Sequence, residues 1–123
     1  MLTGDPFFQE LKAIAARQLP NERLAKKRAY VNNTVYGDMY YTHRDVPPEM
    51  KDITILYYVN PVWHPEWGAE TIYYGDDGDA QAAISVKPGR VLVSRGAILH
   101  RGGVPTRICN EERRTIAYKL SSE

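Results

Sequence analysis

The chain is poor in the residues that most often carry chemistry. Its 123 residues include one cysteine, three histidines and two tryptophans. A lone cysteine, Cys109, cannot close an intramolecular disulfide, which excludes a disulfide-stapled scaffold and agrees with a reducing, cytoplasmic setting. No apolar run approaches the roughly 18 residues that a membrane span needs. The opening Met1-Leu2-Thr3-Gly4-Asp5 lacks a charged n-region and an apolar h-region, so no secretory signal is expected. Charge of one sign is also missing. The net charge is +1, which gives no electrostatic case for nucleic acid or an anionic membrane surface as a partner. Hydrophobic residues at 43% and charged residues at 25% are ordinary for a globular protein. The length suits one domain with a real core, so residues 1–123 are expected to fold as a single unit.

Two kinds of patterning divide that unit. Asp5-Pro6 is a helix start, an N-cap acceptor followed by proline at the first helical position. Phe7, Phe8, Leu11, Ile14 and Ala15 then recur at helical spacing. Pro20-Asn21 ends this helix, and Asn21 is placed to cap a second short one through Leu24 and Lys27. Residues 1–29 are thus expected to be a helical segment covering one face of a sheet. From Tyr30 onward the period becomes strand-like. Strands are expected at Tyr30–Tyr36, Met39–Thr42, Ile53–Val59, Thr71–Tyr74, Ala83–Val86, Val91–Ser94, Ile98–His100 and Thr115–Leu120. About eight short strands broken by Pro, Gly and Asp clusters point to a mainly β sandwich or barrel over residues 30–123.

Scarcity makes the histidines informative. His43 and Asp45 are separated by one residue at the end of a β-rich stretch, and His100 ends another. Strand side chains alternate, so His43 and Asp45 can point to one face while Arg44 points away. Two imidazoles and one carboxylate can hold Fe(II) on one triangular face and leave the opposite face open for oxygen chemistry. Taken alone, His-x-Asp also fits a hydrogen-bonded strand histidine beside a loop-capping aspartate.

The downstream segments add order to the pair. Tyr40-Tyr41-Thr42-His43-Arg44-Asp45 is followed by Tyr57-Tyr58-Val59-Asn60, Gly68-Ala69-Glu70-Thr71, Val86-Lys87-Pro88-Gly89-Arg90-Val91-Leu92-Val93 and His100-Arg101-Gly102-Gly103-Val104-Pro105. In that order they resemble the prolyl 4-hydroxylase-like branch of the Fe(II)/2-oxoglutarate dioxygenases, from about Val35 to Leu120. The resemblance implies a double-stranded β-helix, the jelly-roll or cupin-like arrangement. It also implies His43, Asp45 and His100 as iron ligands, with 2-oxoglutarate and O2 as co-substrates. Two departures stand out: Ala69 replaces a glycine, and only about thirty residues precede the first core strand. Relatives usually carry a longer helical region there. The chain is therefore a minimal enzyme, a fragment, or one that relies on a homo-oligomer to cover exposed sheet.

The far carboxylate of 2-oxoglutarate needs a fixed cation, and arginine supplies a planar two-pronged donor. By the same analogy that residue opens the last strand, at Arg113-Arg114. An inward Arg113 puts Thr115 and Ala117 on its face and leaves room. An inward Arg114 would fill the interior with Ile116, Tyr118 and Leu120. Arg113 is therefore the expected ligand, as the family's spacing also implies. Tyr58 is implied as a second donor to that carboxylate, with Tyr36 and Thr71 beside it. Trp63, in an aromatic loop with His64 and Trp67, could close over a substrate, and Arg95 could meet an acidic one.

The resemblance implies a hydroxylase that acts on an unactivated C–H bond of an amino acid, a peptidyl residue or a small molecule, releasing succinate and CO2. Retaining Asp45 favours hydroxylation over halogenation, since family halogenases replace that carboxylate. The alternative is a non-oxidative cupin-like binding or sensing domain on the same fold. Metal-dependent isomerases and thiol dioxygenases on related barrels mostly use three histidines, and the His43-x-Asp45 pair argues against them. Substrate identity does not follow from these motifs.

Overall fold

The structure, a computed structural model, describes residues 6–123. Helix α1 covers Pro6–Gln18; Asp5, the expected cap, lies outside the described residues. Seven strands follow: β1 (Leu24–Thr34), β2 (Ile53–Tyr58), β3 (Thr71–Tyr74), β4 (Ala80–Ile84), β5 (Val91–Arg95), β6 (Leu99–Arg101) and β7 (Arg113–Ser122). They form two antiparallel sheets, β1-β7-β2-β5 and β4-β3-β6, in the expected mainly β, jelly-roll arrangement. Among the described residues no helix is long and apolar enough to cross a membrane.

Register explains how the larger sheet divides its labour. Residues paired across strands share a face, so three rows stack on the inner side. They are Arg28–Lys119–Thr54–Ser94, Tyr30–Ala117–Leu56–Leu92 and Asn32–Thr115–Tyr58, with Thr34–Arg113 at the far end. The residues between them face outward and are apolar: Ile53, Ile55, Tyr118 and Leu120. Onto these α1 lays Phe8, Leu11 and Ala15, spaced three and four apart as a helical stripe must be. Phe8 meets Tyr118 at 5.1 Å between ring centroids, and Phe7 meets Tyr57 edge-on at 4.8 Å. The helix buries the outer face, and the inner face is left for ligands.

Two expectations about the early chain change. The second helix expected from Asn21 through Lys27 does not form; Leu24–Thr34 is strand β1, so the β core begins six residues before Tyr30. Ten pairings with β7, interrupted by a bulge beside Lys27, outweigh the weak helical spacing of Leu24 and Lys27. Met39–Thr42 is not a strand either. The segment between β1 and β2 is irregular, and its β-bridge to the sheets is His43 with His100.

Where β1 begins, Glu22 is held by Arg95, with Nη2–Oε2 at 2.6 Å, and by the Ser122 hydroxyl. Hydrogen bonds from Arg95 and Ser122 pull the Glu22 carboxyl from 4.5 down to about 2. A carboxylate with a lowered folded-state pKa stabilises the protein above its unfolded value and stops doing so as pH falls through its folded value. The melting-temperature gap between the wild type and Glu22→Gln should therefore be constant above pH 4.5 and close as pH approaches 2. A gap that persists unchanged at acid pH would assign the effect to packing.

Candidate metal and co-substrate site

Between the two sheets lies a cavity of about 210 Å³. The larger sheet supplies Thr54, Leu56, Arg113, Thr115 and Lys119; the smaller supplies Thr71, Tyr73 and His100. His43 and Asp45 reach it from the irregular segment. Two mutual backbone hydrogen bonds of 3.0 Å clamp His43 to His100, and the Asp45 amide donates to the Gly96 carbonyl at 2.7 Å. The two-residue spacing works as expected, although loop docking rather than a strand achieves it.

His43, Asp45 and His100 each present one ligand atom, and all three lie within 4.8 Å of one another. His43 Nδ1 donates to the Tyr41 carbonyl at 2.9 Å, and His100 Nδ1 donates to the Ile98 carbonyl at 2.8 Å. Those bonds fix the Nδ1–H tautomer and turn both Nε2 lone pairs inward. His43 Nε2 lies 3.2 Å from Asp45 Oδ1, and His100 Nε2 lies 3.5 Å from Oδ2. Burial holds His100 below the usual imidazole value, against the pull of the Ile98 carbonyl and of Asp45. Burial pushes the Asp45 carboxyl up, but the Lys119 hydrogen bond and charge, with His100 and Thr54, leave it below the usual range. Three convergent N and O donors are the set that a borderline divalent metal requires.

Farther in, Arg113 is 3% exposed. Its Nε donates to the Ala69 carbonyl at 3.1 Å, its Nη2 to Thr71 Oγ1 at 2.9 Å, and its guanidinium lies 5.4 Å above the Tyr58 ring. Tyr58 and Thr71 share a 2.5 Å hydrogen bond. Among the described residues no carboxylate pairs with this cation. Burial pulls its pKa down, partly offset by nearby tyrosines. Thr115, on the same face two residues along, has a buried hydroxyl with no partner. Arg114 instead points outward to Glu112. The parity argument thus selects the arginine that lines the cavity.

The backbone around Arg113 is tight. A side chain at Gly103 would place its Cβ 2.1 Å from the Ala69 carbonyl carbon, so only glycine fits there. Ala69 itself adopts φ 66°, where an L-residue pays roughly 1 kcal/mol that glycine avoids. The glycine-to-alanine departure is therefore a strained position whose carbonyl holds Arg113.

Other expected residues lie elsewhere. Tyr36 sits on the turn after β1, is 57% exposed and does not line the cavity; Tyr40 does, bonded to Thr34 at 2.7 Å. Tyr58 stands behind Arg113 and Thr71 rather than in the cavity wall. Trp63 donates to the Gly68 carbonyl and packs edge-on to Trp67, against which His64 also packs. Arg95 is engaged by Glu22 and the Lys51 carbonyl and faces a separate groove. Neither Trp63 nor Arg95 is a cavity wall. Tyr73, Tyr30, Asn32 and Lys119 also line the cavity, a role that no local sequence pattern marks. Lys119 is the most consequential, because its Nζ donates to Asp45 Oδ2 at 2.6 Å and to Thr54 Oγ1 at 3.1 Å.

Fold and donor set together define a jelly-roll protein with a convergent His–Asp–His cluster, able to hold a metal ion, beside a buried cation. The sequence profile of the 2OG-Fe(II) oxygenase superfamily matches residues 30–119, and the chain belongs to that superfamily. Fe(II), 2-oxoglutarate and O2 are the cofactor and co-substrates of the family. No curated protein matches the sequence. Among solved structures, the chain is similar to a prolyl hydroxylase from Trichoplax adhaerens in complex with a hypoxia inducible factor oxygen degradation domain peptide fragment. That likeness has 18% identity and a TM-score of 0.73, and covers 94% of this chain and 54% of the other. It is also similar to a 2OG-Fe(II) oxygenase family oxidoreductase from Burkholderia pseudomallei, at 16% identity and TM-score 0.71, covering 98% and 54%. A Pseudomonas putida prolyl-4-hydroxylase follows at 15% and 0.66, covering 93% and 61%. At such identities the likeness is one of fold, and this chain spans less than two thirds of each relative's length.

Proposed function

We propose that this chain is an Fe(II)- and 2-oxoglutarate-dependent oxygenase that hydroxylates an unactivated C–H bond of an amino acid, a peptidyl residue or a small molecule. His43 Nε2, His100 Nε2 and one oxygen of Asp45 would hold the metal, and Arg113, backed by Thr71 and Tyr58, would hold the distal carboxylate of 2-oxoglutarate. When bound, the iron supplies the two-electron oxidation of the C–H bond, coupled to conversion of 2-oxoglutarate and O2 to succinate and CO2. The single observation that carries this reading is a buried guanidinium without a carboxylate partner, in the same cavity as the His–Asp–His cluster. A buried charge is expensive unless something pairs with it, and a dicarboxylate supplies the missing anion.

The protein's own residues do the rest. The Tyr41 and Ile98 carbonyls orient the imidazoles, while Lys119 and Thr54 hold the second oxygen of Asp45 and keep the carboxylate aimed. Thr115 offers its unpartnered hydroxyl to whatever occupies the cavity. Tyr73, which reaches toward Ser94 and lies 6.0 Å from the His100 ring, closes the wall above it. The test is anaerobic titration with Fe(II) and then 2-oxoglutarate, watching for the weak visible charge-transfer band of the chelate. The band should appear at one equivalent of each. A folded, metal-loaded protein that shows no band would favour the non-oxidative binding domain instead.

A further inference from the structure

The proposed chemistry leaves one feature of the inner face unused. Strand register sets Arg28 of β1 directly opposite Lys119 of β7. Residues so paired share a face with their Cβ atoms about 5 Å apart, and like charges there repel. Lys119 offsets its own charge through Asp45. Its ammonium has three protons, of which two go to hydrogen bonds with Asp45 and Thr54, and it also lies 5.8 Å from the centroid of the Tyr30 ring. Arg28 has no carboxylate partner among the described residues; it only overlies the Tyr30 ring at 5.3 Å. Its neighbour Lys27, by contrast, is paired with Asp52 at 2.9 Å.

The two cations border a second hollow of about 270 Å³, which shares Asp45, Thr54 and Lys119 with the metal cavity. That hollow opens on the Asp45 side of the cluster. Arg113 lies six residues from Lys119 on the same strand, about 20 Å away along β7. An anion at the Lys119 end would therefore not compete for the 2-oxoglutarate position.

Charge balance points the same way. The charged side chains of the metal cavity are Asp45, Arg113 and Lys119, the two histidines being neutral in the metal-ready tautomer; together they carry one positive charge. A divalent metal and a dianionic co-substrate cancel, so the loaded cavity keeps that positive charge. Arg28 adds a further one at the rim. A cavity with surplus positive charge favours an anionic occupant.

We propose, building on the oxygenase reading, that the substrate carries a carboxylate that binds between Arg28 and Lys119, presenting a nearby C–H bond to the metal cluster. The carboxylate can belong to a free acid or to an acidic side chain within a peptide. In either case a single charge-assisted contact is worth about tenfold or more in affinity over the uncharged amide.

The experiment uses protein loaded with Fe(II) and 2-oxoglutarate under argon, after the chelate band has been seen. Calorimetry then compares matched acid and amide probes. N-acetyl amino acids and their amides serve as the free-acid arm; end-blocked tripeptides with central glutamate or glutamine serve as the peptide arm. Tighter binding of the acid member by about tenfold or more, in either arm, supports the inference and names the source. Arg28→Gln, which leaves every contact of Asp45 in place, should bring that ratio close to one. Lys119→Met should do the same, and Lys119→Arg should restore most of it. Equal affinity for acid and amide in the wild type, an unchanged ratio in Arg28→Gln, or no acid binding at millimolar concentration overturns the inference while leaving the oxygenase reading standing. Failure of the chelate band itself overturns both.

Discussion

Replacing Asp45 by alanine should abolish substrate-stimulated succinate formation and lower Fe(II) affinity by more than about a hundredfold, measured anaerobically with the metal alone. The cluster is built from two neutral imidazoles and one carboxylate, so this substitution removes its only anionic donor. It also removes the partner of Lys119, a side chain only 14% exposed. Breaking a largely buried pair from one side leaves a charge uncompensated, and the metal-free protein should lose stability for that reason alone. The two effects separate in Asp45→Asn. Asparagine keeps the shape and can still accept from Lys119 and Thr54, so most of the fold's stability should return. Metal affinity should not, because a neutral amide oxygen is a poor substitute for a carboxylate. Full turnover, or undiminished metal binding, in Asp45→Ala would remove Asp45 from the ligand set and end the oxygenase reading.

Parts of this site were legible from the chain because their chemistry is unusual where it stands. Only three histidines occur, and two of them fall in segments whose order matches a metal-binding family. The small residues Thr115 and Ala117 identified Arg113 as the inward arginine without coordinates. The same alternation, carried one step past Ala117, arrives at Lys119. A lysine in a strand ordinarily faces water, and nothing local shows that Asp45 waits to receive it from 74 residues away. Long-range pairing also hid β1, whose early residues read as a helix until β7 is laid beside them. The strand-like spacing of Met39–Thr42 predicts a regular strand leading into His43, with Tyr36 just before it. The chain instead turns at Tyr36-Gly37 and enters the site through an irregular loop, which brings Tyr40 round to the cavity and leaves Tyr36 outside.

Arg113→Met separates binding from structure most sharply, because the two are expected to move differently. In the free protein the guanidinium is buried and, among the described residues, has no carboxylate partner; the Ala69 carbonyl, the Thr71 hydroxyl and the face of Tyr58 hold it. Losing those hydrogen bonds costs about 1 kcal/mol each, while removing an uncompensated buried charge returns a comparable or larger amount. The melting temperature of the metal-free variant should therefore match or exceed that of the wild type. With 2-oxoglutarate the balance reverses. Removing the cation leaves a carboxylate buried against apolar surface, at a cost of about 3–5 kcal/mol, or roughly two to three and a half orders of magnitude in affinity. Titration followed by the chelate band should show that loss at saturating Fe(II), with metal affinity itself almost unchanged, since Arg113 touches none of the three metal donors. Arg113→Lys should recover part of the affinity, because an ammonium supplies the charge but not the planar pair of donors. A variant that binds 2-oxoglutarate within a few-fold of the wild type would show that the buried guanidinium is a structural strut between Ala69 and Thr71, and the co-substrate would then need a different anchor.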